Sequence, residues 1–380
     1  MRKASLQCAF LVAVLLPLVC LSVFSSSSQH VIISASGTIR YPSPIFDSFL
    51  FGVGPEEWNT LGYLNDKYDI NMTVATSWIN SRHDLYGWWT EFFFPQTLWN
   101  MNYIPHIITW GYFTHSWNVD YSTYNLSKYR QAWLDDLAYM AGRLKAPNDG
   151  KHVVLVSLET EFNCYENMNY TYWNQLMIDS RNTIREIAPN VLVSYCIGGW
   201  AWRWGDVSME GVLAESMRRM DFMSFQCMWG CYGDAQYRWM NGDDLKSSYE
   251  GINWTERFGG KPHIWDYMID DIIGNCKALR EYNKHIFLAH FCIDHHLWGP
   301  QCQVDVLNAI SNNTHTLRVG LFGISWMRYR DVRWDEWAYW SGDIGQQTGG
   351  FEYPDGSPKL CLPVWVNLVN SNPSHISKRI

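Results

Sequence analysis

Charge is scarce in this chain. Only 17% of its 380 residues are charged, and the formal net charge is -8. A polyanion needs a basic field to hold it, so nucleic acid is excluded as a partner. No glycine-rich phosphate cradle follows any apolar run, which argues against a nucleotide-binding sheet. Cys227 and Cys231 have no second closely spaced pair, so a zinc site has little support. The histidines His263, His290, His295 and His296 are not accompanied by a His-x-His after the first strand, and no metal or other cofactor is expected. No internal repeat is visible. Beyond residue 30, no apolar run is long enough to span a bilayer.

Aromatic residues, by contrast, are abundant. With 22 Trp and 22 Tyr, the chain has more ring surface than one core readily uses. Flat rings with a polar edge suit stacking against sugar faces, with O–H and N–H groups left to hydrogen-bond.

Residues 1–30 read as an export signal. Arg2 and Lys3 precede an apolar run from Ala9 to Phe24, and small residues Ser25 to Ser28 follow. An uncleaved N-terminal anchor is the alternative and would be the only membrane contact. Export to the extracellular space agrees with glycosylation triplets at Asn71, Asn125, Asn169, Asn253 and Asn312. Outside the signal, Cys164, Cys196, Cys227, Cys231, Cys276, Cys292, Cys302 and Cys361 make an even number, which allows disulfides in an exported chain.

Residues 31–45 read as a linker or edge segment. Apolar runs then alternate with helix-like segments. The strand candidates are 49–54, 72–78, 103–110, 152–158, 191–197, 221–227, 262–268, 285–292 and 319–326. The clearest helix spans 129–145, with others at 172–187, 243–258 and 271–283. Alternation of strand and helix predicts parallel strands and a single-domain (β/α)8 TIM barrel over residues 46–345, with 346–380 as a tail. Nine candidates compete for eight places, and an open doubly wound sheet is the alternative.

The run His152–Leu158 reads as a strand buried on both faces, and it ends in Glu159-Thr160-Glu161-Phe162-Asn163. Carboxylates at the carboxyl end of a barrel strand sit where such enzymes place their chemistry. Glycosidic cleavage needs a proton donor and a second carboxylate. Glu161 is the donor candidate, because partial burial there would keep it protonated near neutral pH. Glu159 is two residues away on the same strand, which predicts a shared face and a divided role, or else a buried carboxylate paired with a cation. Asn163, Trp110, Trp200, Trp202, Gln226, Trp265 and Trp326 are candidate sugar contacts.

The run Tyr103-Ile104-Pro105-His106-Ile107-Ile108-Thr109-Trp110, followed by Leu158-Glu159-Thr160-Glu161-Phe162-Asn163, resembles the third and fourth strands of glycoside hydrolase family 26. That is the mannanase-type branch of the retaining clan A barrels. Leu50-Phe51-Gly52 and Gly323-Ile324-Ser325-Trp326 resemble its first and last strands, so the likeness covers about residues 45–330 in outline. Thr160 stands where the family has histidine. The resemblance implies hydrolysis of a β-linked polysaccharide of mannan or glucan type, Glu161 as acid/base, and a glutamate nucleophile three strands later. On the strand count, that place falls in Lys261–Asp270, where the glutamate is missing; Asp266 is the nearest carboxylate and Asp270 the fallback. If 285–292 is the seventh strand instead, His290 stands in the glutamate's place, with Asp294 the nearby carboxylate. Two other readings stay open: a glycan-binding barrel that has lost its nucleophile, and a chitinase-like hydrolase using Glu159 and Glu161 with the substrate's acetamido group.

Overall fold

The computed structural model describes residues 32–33, 39–40, 44–54, 60–88, 95–119, 121, 123–162, 168–199, 207–229, 260–261, 263–295, 299–331 and 348–372. The chain divides into two compact units, Met1–Ser43 and Pro44–Ile380. In the first, Ile32–Ile33 pairs antiparallel with Ile39–Arg40. The expected signal lies outside the described residues. Among those residues, no helix is long and apolar enough to cross a membrane.

The second unit is a closed barrel of eight parallel strands. They are β1 (Leu50–Val53), β2 (Val74–Trp78), β3 (Ile104–Ile108), β4 (Val154–Leu158), β5 (Val191–Gly198), β6 (Met223–Trp229), β7 (Ile286–Ile293) and β8 (Gly323–Trp326). Closure is made by β8 on β1, in register from Gly323↔Leu50 to Trp326↔Val53. Strands that alternate with helices are covered on both faces, which is why most strand residues are apolar and nearly all are buried. Leu50, Val74, Ile104, Leu155, Leu192 and Phe287 fill the barrel. Their neighbours Phe51, Ala75, Val154, Val156, Val193 and Leu288 face the larger core under the helices.

A polar layer also crosses the barrel interior. Ser325 Oγ bonds Thr76 Oγ1 at 3.0 Å, and Thr76 reaches His106 Nδ1 at 3.2 Å. His106 Nε2 meets Ser157 Oγ at 2.9 Å. Ser224 continues the chain to Ser157 at 2.9 Å and to Ser194 at 3.1 Å. Full burial, with His290 close by, holds His106 well below the usual imidazole range, so it is a neutral bridge. His106→Leu leaves Thr76 and Ser157 each one partner short. It is expected to lower stability by about 1–3 kcal/mol, read as a lower urea midpoint; an unchanged midpoint would show the layer to be dispensable.

The ninth strand candidate is not a strand. Residues Ile264–Arg280 form one α-helix that absorbs both the expected strand 262–268 and the expected helix 271–283. Its buried Ile264, Met268, Ile272, Cys276 and Leu279 recur at helical spacing. The short apolar start of this helix cannot be told from a strand by period alone. Asp266 therefore sits in the first turn of a helix and not at a strand end, and Asp270 is exposed and paired with Lys261 at 2.5 Å. The expected tail contains the helix Cys361–Asn370, whose Trp365 is fully buried in the main core beside Phe51 and Trp326. Among the described residues all six cysteines are free and buried (Cys196, Cys227, Cys276, Cys292, Cys302 and Cys361), so none of these forms the expected disulfides. Cys164 and Cys231 lie outside the described residues.

Candidate active site

At the carboxyl end of the barrel, a pocket is lined by Trp78, Trp110, Thr160, Glu161, Gln226, Met228 and His290. Its hollow is about 260 Å³, counting the part open to solvent.

Glu161 reaches this pocket because β4 stops at Leu158 and the backbone then turns. Glu159 and Glu161 both have positive φ, 45° and 63°. This left-handed conformation is costly for side chains with a Cβ and persists only where surroundings enforce it. Here Thr160 N–H donates to Thr109 O at 2.8 Å, and Glu161 N–H donates to Cys196 O at 3.2 Å. The turn corrects the expectation that the two glutamates share a face. Glu159 is sealed inside, accepting from Thr109 Oγ1 at 2.7 Å, Tyr112 N–H at 3.3 Å and the Tyr121 hydroxyl. No cation is among those partners.

Glu161 accepts from Gln226 Nε2. Burial pushes its carboxyl above the usual range, and hydrogen bonds from Gln226 and Trp110 offset only part of that. Burial also pushes Glu159 up, to about 7, against the pull of Tyr121, Thr109 and Tyr112. A carboxyl that is harder to ionise in the fold stabilises it most below the unfolded value near 4.5, and that stability is lost as pH rises through about 7. The full change is about 3 kcal/mol. Glu159→Gln is expected to flatten this slope in unfolding curves recorded across that window. A slope identical to wild type would assign the pH dependence to other groups.

Opposite Glu161 stands His290. Its position depends on an irregularity in β7. Phe225 pairs with Leu288, but the next residue, Gln226, pairs with His290. The β8 side skips as well, from Ile324↔Leu288 to Trp326↔Phe291. One extra residue in β7 thus makes a bulge, a device that re-aims a side chain. Ala289 faces the barrel interior and His290 next to it lines the pocket, breaking the two-residue alternation. Trp78 Nε1 donates to His290 Nε2 at 3.2 Å, which puts the ring proton on Nδ1. Burial drives His290 down to about 3, so it is neutral. Asp294, one residue beyond β7, is fully buried and accepts from Thr348 Oγ1.

Of the residues singled out in the sequence, Glu161, Trp110 and Gln226 meet in the pocket. Trp326 does not. It is fully buried among Phe291, Phe351 and Trp365, with its indole N–H donated to Gly349 O at 2.7 Å. Trp265 is on the same helix turn as Asp266 and stacks on His263 at 4.3 Å. Asn163, Trp200 and Trp202 lie outside the described residues. Sequence reading missed Trp78 and Met228. Trp78 ends β2, and Met228 follows Gln226 by two on one strand face. Gly199, at the end of β5, allows this approach, because a Cβ there would collide with Gln226 O. Gly199→Ala is expected to displace Gln226 and weaken ligand binding more than it lowers the unfolding midpoint.

No protein-family model matches the chain, and no curated protein matches it. Its fold is similar to solved glycoside hydrolases. A family 5 (GH5_18) enzyme from Streptomyces cattleya in complex with Manβ1-4GlcNAc has a TM-score of 0.57 at 10% identity, over 85% of this chain and 80% of that one. The exo-β-1,4-mannosidase Op5Man5 from Opitutaceae bacterium strain TAV5 has a TM-score of 0.55 at 12% identity, over 91% of this chain but only 62% of its own length. A fungal β-1,4-galactanase has a TM-score of 0.51 at 12% identity, over 86% and 97%. At such identities the likeness is one of fold.

Proposed function

We propose that this chain is a glycoside hydrolase acting on a β-linked glycan, with Glu161 as the proton donor to the glycosidic oxygen. One observation carries the reading. Glu161 ends the fourth strand of the barrel inside a half-apolar pocket, and burial favours its protonated form. Trp78 and Trp110 supply ring faces for a sugar, and Gln226 supplies an amide. The solved neighbours, named for mannosidase and galactanase activities or complexed with a mannose-containing disaccharide, support a β-glycan as substrate. The motif likeness to family 26 also supports a β-linked glycan as substrate. Export, by a cleaved signal or an N-terminal anchor, agrees with the exposure of the triplet residues Asn71, Asn169 and Asn312.

The test is product release from mannan, galactan, xylan, glucan and chitin by the full chain, alongside direct binding of each. Release from at least one glycan supports hydrolysis. Binding without release supports the second reading, a glycan-binding barrel. That reading is favoured by His290, because a neutral imidazole whose Nε2 is engaged by Trp78 cannot serve as the carboxylate nucleophile of a retaining pair.

A further inference from the structure

One polar atom in the pocket wall, Gln226 Oε1, is buried without a hydrogen-bond partner among the described residues. Each such orphan costs roughly 1–3 kcal/mol unless a ligand satisfies it. The orientation of Gln226 is set from its other end, because its Nε2 donates to Glu161. Its Oε1 is therefore a buried acceptor in the pocket wall, and it calls for an N–H or O–H on the substrate. Across the pocket, the β7 bulge presents His290 instead of an anion. Among the described lining residues, Glu161 is the sole carboxylate. Among its described lining residues, the pocket thus combines a proton donor, an orphan acceptor and apolar walls at Trp78, Trp110 and Met228, with no second carboxylate.

We infer that the pocket takes a β-linked 2-acetamido-2-deoxy sugar, whose amide N–H bonds Gln226 Oε1 and whose amide carbonyl oxygen attacks C1 in place of an enzyme carboxylate. This rests on the hydrolase reading above. In the first step, Glu161 gives its proton to the glycosidic oxygen and the C1–O bond breaks. The amide oxygen bonds C1, closing an oxazolinium ring whose N–H stays on Gln226 Oε1. In the second step, the Glu161 carboxylate takes a proton from water, and the water oxygen bonds C1. The C1–O bond to the amide breaks, which restores the acetamido group and protonated Glu161. One water is consumed and the β configuration is retained. The acetamido methyl meets the apolar wall. Glu159 takes no part, because Thr109, Tyr112 and Tyr121 hold it away from the pocket. A neighbouring nucleophile on the substrate has an effective concentration of up to about 10⁵–10⁸ M, enough to replace one from the enzyme.

The experiment compares 4-methylumbelliferyl 2-acetamido-2-deoxy-β-glucoside and its galacto epimer with the matching 2-hydroxy glycosides, using the full chain. One acetamido substrate is expected to exceed its 2-hydroxy partner in kcat/KM by at least about 1,000-fold. Its N-trifluoroacetyl analogue, with a poorly nucleophilic carbonyl, should be cleaved far more slowly. Cleavage of the 2-hydroxy glycosides as fast or faster would overturn this inference and leave the hydrolase reading standing. Equal rates for the acetyl and trifluoroacetyl substrates would do the same. Release from neither class, nor from any glycan, would overturn both.

Discussion

Glu161→Gln is expected to reduce glycan hydrolysis by at least about 10²–10⁴-fold, the usual worth of a placed acid/base. Glutamine keeps the length and the ability to accept from Gln226 Nε2, so the pocket and the unfolding midpoint should stay close to wild type. Glycan binding should survive. The pH dependence follows from the same environment. The donor must be protonated, and burial raises its pKa above the usual carboxylate range. Wild-type activity should therefore persist toward neutral pH and fall as pH rises through that raised value. The variant should lack this limb in its residual rate.

The second large effect concerns stability. Lys359 is almost fully buried, with Nζ donating to Asp331 Oδ1 at 2.7 Å, to Thr348 O at 2.9 Å and to His295 Nδ1 at 2.9 Å. Burial pushes Lys359 down and Asp331 up to about 6, although each stabilises the charge of the other. The cluster joins the segment after β8 to His295, just beyond β7. Lys359→Met leaves the Asp331 carboxylate buried without its cation, and about 3–5 kcal/mol of stability should be lost. Lys359→Met with Asp331→Asn removes both charges and should recover much of that loss. Unfolding midpoints for the two single variants and the double variant give the coupling directly. If the double variant loses as much as the sum of the singles, the pair is not coupled.

The barrel was legible in the sequence because a parallel strand covered on both faces leaves a short, wholly apolar run. Eight such runs, spaced by amphipathic helices, allow few other topologies. The same rule failed at Ile264–Arg280, where an apolar helix start mimics a strand, and that moved the expected nucleophile to Asp266. With that run removed, 285–292 becomes the seventh strand and His290 the residue opposite Glu161. Its entry into the pocket depends on a one-residue bulge, which no two-residue alternation reveals. Glu161 was found because it follows a buried run directly. Burial of Glu159 was one of the two readings open in the sequence, but its turn away from Glu161 follows from two left-handed residues that sequence patterns do not mark, and its partners are hydroxyls and an amide, not a cation. Trp326 resembled a sugar platform by motif, but the aromatic packing that buries it comes from residues 351 and 365, far along the chain.

The most direct test of Glu161 as proton donor varies the leaving group. Glu161→Gln should cleave a 2,4-dinitrophenyl β-glycoside nearly as well as wild type in the bond-breaking step, because that phenolate departs without a proton. The same variant should lose at least about 100-fold on the glycan or on a poorly leaving alkyl glycoside. An equal loss on both substrates, or no loss on either, would contradict the assignment.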